Sequence, residues 1–150
     1  MKRLMFGMLV AVTASCGGGG GGGSTAKFIG TWSFTSGTST LTCAGTPYTS
    51  QMTGTVTVQE GTTSDLVINQ ESCVLHYSVT GSTAMLVPGQ SCVQVFDTDS
   101  VTVAYSADNV QTSDGVTATE AGSGTATLVI NGQTLTCTYS STATLTKVGK

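Results

Sequence analysis

His76 is the one histidine of the 150-residue chain, so any chemistry that needs an imidazole depends on it. It alternates with Leu75, Tyr77 and Val79 in a strand-like run, which puts it on the opposite, solvent-facing side. A triad also needs a serine nucleophile and an acid. No Gly-x-Ser-x-Gly elbow occurs, and the 17 serines leave none distinguished. Asp97 and Asp99, in Phe96-Asp97-Thr98-Asp99-Ser100, are spaced to share one face of a loop that offers oxygens to Ca²⁺. Such a site takes about six to eight oxygens, and the Gly and distal Glu of an EF-hand loop are missing, so the segment reads as a solvated interstrand turn. Asp108, Asp114 and Glu120 stand apart and read as solubilising charges near loops, and spacing singles out no carboxylate pair for glycoside hydrolysis. No metal, no cofactor and no enzymatic activity is expected.

Five cysteines occur, at 16, 43, 73, 92 and 137, with no Cys-x-x-Cys spacing to support a zinc or thioredoxin-type centre. The first follows a particular leader. Lys2 and Arg3 precede an apolar run, Leu4 to Val12, that is half as long as the ~18 residues needed to cross a bilayer. This reads as an export signal over residues 1–15. Ala14-Ser15-Cys16 resembles the lipobox of bacterial lipoproteins, which implies that Cys16 is lipidated, palmitate included, and becomes the first residue. Thr13 stands where that pattern prefers Leu, so ordinary signal-peptidase cleavage near Ala14 is the alternative. Gly17 follows where the inner-membrane retention signal has Asp, which implies the outer membrane or cell surface.

Parity points the same way, because lipidation of Cys16 leaves an even four cysteines for an oxidising compartment. Three connectivities are open. A hairpin turning at Ser82-Thr83 places Cys73 opposite Cys92. Closing a barrel by pairing Phe28 to Phe34 with the last strand brings Cys137 near Cys43. The expected bridges are therefore Cys43–Cys137 and Cys73–Cys92. Gly17 to Gly23, with Ser24 and Thr25, form a flexible tether of roughly 15 to 18 Å within a lipid-plus-spacer segment, 16–27.

The domain that must position any site is 28–150. The chain holds 29 Thr, 17 Ser and 20 Gly, against 9% charged residues, a composition suited to half-buried sheets. Beyond Arg3 the only basic residues besides His76 are Lys27, Lys147 and Lys150, against eight acids, about −5 in all, the wrong sign for nucleic acid. Alternation predicts strands near 28–36, 40–44, 51–59, 65–69, 73–80, 84–87, 91–96 and 100–106, with a weaker one near 115–121. Asn131-Gly132 predicts a two-residue hairpin that sets Leu128 against Leu135, Ala126 against Cys137 and Gly124 against Tyr139. About eight to ten short strands indicate an all-β fold, a small antiparallel up-and-down barrel, with a β-sandwich as the alternative.

Gly30-Thr31-Trp32 resembles the Gly-x-Trp motif that opens the first strand of lipocalin-like (calycin) barrels. The resemblance implies that Trp32 closes one barrel end beneath a basic residue from the last strand, for which Lys147 is the match. The expected function is that of a cell-envelope lipoprotein whose disulfide-braced barrel binds a small apolar ligand or an envelope partner without catalysis. Trp32, Phe34, Val56, Leu75, Tyr77 and Val103 would line its interior, with Gly30, Gly54, Ala126 and Ala143 as small inward positions. A structural or adhesive surface domain with a filled core is the alternative.

Overall fold

The computed structural model describes residues 24–70, 73–96, 99–130 and 132–150. Cys16, the leader, Asp97 and Asn131 lie outside the described residues. The described residues form ten strands and no helix: β1 (Gly30–Cys43), β2 (Thr46–Gln51), β3 (Thr55–Glu60), β4 (Leu66–Gln70), β5 (Cys73–Thr80), β6 (Thr83–Leu86), β7 (Ser91–Phe96), β8 (Asp99–Gln111), β9 (Thr117–Ile130) and β10 (Gln133–Gly149). Eight of them close an antiparallel barrel in the order β1-β10-β9-β8-β6-β5-β4-β3 and back to β1; β2 adds to β1 and β7 to β8.

The β9–β10 register is the one the sequence predicts, with Leu128 against Leu135, Ala126 against Cys137 and Gly124 against Tyr139. Cys137, Tyr139, Ser141, Ala143 and Leu145 of β10 point inward, and the intervening threonines outward. Leu135 remains 37% exposed at the far end of the strand.

Two bulges and a glycine turn account for differences from the sequence-based strand boundaries. The segments expected as separate strands at 28–36 and 40–44 are one strand, β1. Its buried positions shift from Gly30 and Trp32 to Ser39, Leu41 and Cys43, across an irregularity between Phe34 and Ser36. One extra residue exchanges the two faces, so a continuous strand reads as two. In β8 a register shift between Tyr105 and Ala107 moves the buried set from Val101, Val103 and Tyr105 to Asp108. The segment expected at 51–59 is instead broken at Gly54, whose φ of +89° suits glycine, and Gly54 is exposed in that turn rather than inward.

Both disulfides are present. Cys43–Cys137 joins β1 to β10 with a Cα separation of 4.4 Å, at the ladder position the barrel closure implies. Cys73–Cys92 has a Cα separation of 5.4 Å, but not through a continued hairpin. β6 ends at Leu86, and beyond Pro88-Gly89 the chain joins β8 as β7. The bridge therefore ties β5 to a strand it does not pair with. Gln90 reinforces the same seam: its side chain accepts from His76 N at 2.8 Å and donates to the carbonyls of His76 (2.8 Å) and Val87 (2.7 Å).

One end of the barrel is plugged. Phe28 and Trp32 are each 2% exposed, and the Trp32 indole N–H donates to the Phe28 carbonyl at 2.6 Å. Lys147 Nζ lies 4.9 Å from the Trp32 ring centroid and donates to the carbonyls of Lys27 (2.8 Å) and Ile29 (2.9 Å). The β8–β9 turn borders this end, where Asp114 is fully exposed yet accepts from the amides of Val116 and Thr117, which holds its carboxyl below the usual range.

Candidate functional site

The phase change in β8 determines what lies midway along the barrel. Past the bulge, Asp108 faces inward opposite Gly122 of β9, and Gly122 is also the partner of Ser141 of β10. Glu120, two residues before Gly122, falls on the same inward face of β9 as Ala118, Ala126 and Leu128. A Cβ at position 122 would lie 2.5 Å from Ser141 Oγ, 3.0 Å from Glu120 Oε1 and 3.7 Å from Asp108 Cγ. The missing side chain is thus the space into which the two acids reach. Gly124 does the same for the next layer. Its register partners on either side are Tyr105 and Tyr139, whose rings meet edge-on with centroids 5.8 Å apart.

The two acids therefore do not act as solvated loop charges, the role their isolation in the sequence suggests. Asp108 is 6% exposed. Tyr77 donates its hydroxyl to Asp108 Oδ2 at 2.7 Å, and Ser141 donates to Glu120 Oε1 at 2.7 Å. Asp108 Oδ1 and Glu120 Oε2 are buried and receive no donor from elsewhere among the described residues. Burial pushes Asp108 up to about 6, against the opposing effect of hydrogen bonds from Tyr77 and Glu120. Burial, then the negative charge of Asp108, pushes Glu120 up to about 7. The pair consequently shares one proton near neutral pH, held mainly on Glu120. Burial is also the leading cause that raises the hydroxyls of Tyr77, Tyr105 and Tyr139, so all three stay neutral.

This pair lies on the wall of an internal cavity of about 60 Å³. Trp32, Phe34, Val56, Leu75 and Tyr77 line it as the sequence reading has them. Val103 is buried at 1% exposure but does not line the cavity; it lies one inward step beyond Tyr105 along β8, farther from Asp108. Gln94, Tyr105, Asp108, Glu120 and Tyr139 complete a polar side that the sequence reading missed. Gln94 donates to the Tyr105 hydroxyl. The signal for Glu120 was available as unbroken alternation through Ala118, Glu120, Gly122, Gly124 and Ala126. Asp108 was hidden by the bulge.

No lysine or histidine lines the cavity among the described residues. His76 is half-buried on the outer side of β5, with Nδ1 3.1 Å from Ser64 Oγ, and takes no part. Among the described residues no group of three or more His, Cys, Asp or Glu is placed to hold a metal. The cavity volume exceeds what one water needs, ~10–15 Å³, and falls well short of the ~300 Å³ at which ordinary ligand pockets begin. No protein-family model, curated protein or solved structure matches the chain.

Proposed function

We propose that this chain is a lipid-anchored envelope protein whose barrel is a non-catalytic binding module, with the binding site inside the barrel. The anchoring half of this reading is supported by cysteine parity. Cys43, Cys73, Cys92 and Cys137 pair among themselves, which leaves Cys16, at the end of the lipobox-like Ala14-Ser15-Cys16, for lipid. The observation that carries the binding half is the interior itself: an apolar chamber plugged by Trp32 at one end and walled by Asp108 Oδ1 and Glu120 Oε2, which receive no donor from elsewhere among the described residues. The volume of about 60 Å³ revises the expected occupant from a bulky apolar molecule to one of a few heavy atoms with a polar head. Gly17 to Gly23 would let the domain stand off the membrane surface and rotate.

The small cavity also favours a second reading, a structural or adhesive surface domain in which the barrel is only a scaffold. Mass spectrometry of the membrane-fractionated protein, before and after reduction, tests the anchor. A diacyl or triacyl mass on Cys16 with four cysteines oxidised is expected. A free Cys16, or a soluble protein, would end the lipoprotein reading.

A further inference from the structure

We propose that the barrel interior binds a small primary amine, with the ammonium group held by Asp108 Oδ1 and Glu120 Oε2 and a short apolar tail against Trp32 and Leu145. The inference rests on the interior-binding reading above and names the class of ligand for that site.

Three observations lead to an amine. The first is hydrogen bonding. Apart from the proton the two acids share, Asp108 Oδ1 and Glu120 Oε2 receive no donor from the described residues, and Asp108 is 6% exposed. Buried acceptors without donors are rare because each forfeits its hydration, and an ammonium group brings three N–H donors. The second is charge. The interior gathers two acids, and among the described residues no cation lines the cavity to offset them. Lys147, which lies over the wall residue Trp32, is already committed to two carbonyls and that ring. The third is the shape and chemistry of the rest of the wall. The wall carries Tyr77, Tyr105 and Tyr139 along with the acids, and the rest of it is largely apolar. A space of about 60 Å³ takes a few heavy atoms.

A metal ion fits less well. Hard cations take about six or more oxygen ligands, and the acids here are two, one of which already accepts the Tyr77 hydroxyl proton. The groups facing the pair are Tyr77 of β5, Tyr105 of β8, and Tyr139 and Ser141 of β10, all neutral. Only the two carboxyls therefore change charge between pH 5 and pH 8. An ammonium ion entering the site displaces the proton held on Glu120, which passes to solvent, so binding below about pH 7 releases protons and weakens as pH falls.

Calorimetric titration of the full-chain protein with ethylammonium, and with ethanol as the neutral isostere at matched ionic strength, tests this. At pH 8 ethylammonium is expected to bind at least about tenfold more tightly than ethanol, and to lose about tenfold or more at pH 5 or in Glu120→Gln. Circular dichroism verifies that the variant is folded. In the unaltered protein, saturating ethylammonium is expected to move the ¹³C-detected carboxyl titrations of Asp108 and Glu120 to lower pH. Equal binding of ethanol and ethylammonium, or ethylammonium binding indifferent to pH and to Glu120→Gln, would overturn the amine assignment and leave interior binding standing. Binding of neither probe would overturn both.

Discussion

Lys147 at the plugged end and the Asp108–Glu120 pair midway along the barrel are both charged groups held against a protein interior, and their surroundings treat them in opposite ways. The Lys147 ammonium donates to two carbonyls and lies over an aromatic ring, partners that offset the partial burial and the nearby Lys150 charge holding its pKa below the usual lysine range. The acid pair has one good donor for each carboxyl, Tyr77 and Ser141, and one oxygen of each left over. The first arrangement gives its ammonium three partners. The second is destabilising once ionised, because no cation among the described residues lines the cavity to compensate the buried acids. A barrel that closes one end with satisfied groups and keeps unsatisfied acids in its cavity separates scaffold from site.

The sharpest way to test the scaffold side is Trp32→Ala. It removes the largest side chain of the plug, its bond to the Phe28 carbonyl and the ring beneath Lys147. A loss of about 3–5 kcal/mol in urea unfolding is expected. A smaller effect would mean that Phe28 and Lys147 close the end without it.

The acids are expected to behave in the opposite sense with pH. Their folded pKa values, about 6 and about 7, lie above the ordinary carboxyl range, so the folded state holds more protons than the unfolded one between roughly pH 4 and pH 7. Stability from this pair is therefore present at acid pH and lost as pH rises through that window. The expected fall is on the order of 3 kcal/mol, read as a decrease in Tm from pH 4.5 to pH 8. Glu120→Gln should flatten most of this slope and raise stability at pH 8 by about 1–2 kcal/mol. A variant that is less stable at pH 8 would show the carboxylate to be compensated, as Lys147 is.

Lys147→Met supplies the counterpart and the smallest effect. It leaves the carbonyls of Lys27 and Ile29 without their donor and should cost about 1 kcal/mol, with no pH dependence between 4.5 and 8. A gain in stability would place Lys147 with the acids as a group the fold tolerates rather than uses.

The scaffold was far more legible in the sequence than the site. Alternation along 133–145 and the Asn131-Gly132 pair fix the β9–β10 register, and closing the barrel from there brings Cys43 to Cys137. These follow from local rules with period two, which a strand obeys until a bulge interrupts it. The acid pair depends on such an interruption. Counted from Val101, Val103 and Tyr105, position 108 falls on the solvent face; the extra residue near Ser106 turns it inward. Glu120 belongs to an unbroken alternation, but its neighbours Ala118, Gly122 and Gly124 carry little apolar signal, and the strand reads as a weak segment. That the two meet is a matter of cross-strand register and of the space Gly122 leaves, neither of which is visible one strand at a time. Cys73–Cys92 shows the converse case, a correct pair reached through a hairpin that forms but stops at Leu86, because Pro88-Gly89 sends the chain to β8.

The most direct measurement of the central claim is a ¹³C NMR titration of the side-chain carboxyls from pH 3 to pH 9 in the unaltered protein. Asp108 and Glu120 are expected to titrate as a coupled pair well above the other acids, in the region of about 6 and about 7, while exposed Asp114 titrates below its usual value. Titration of both near the ordinary ~4 would contradict the claim, since it would mean that water or a cation already meets both carboxylates.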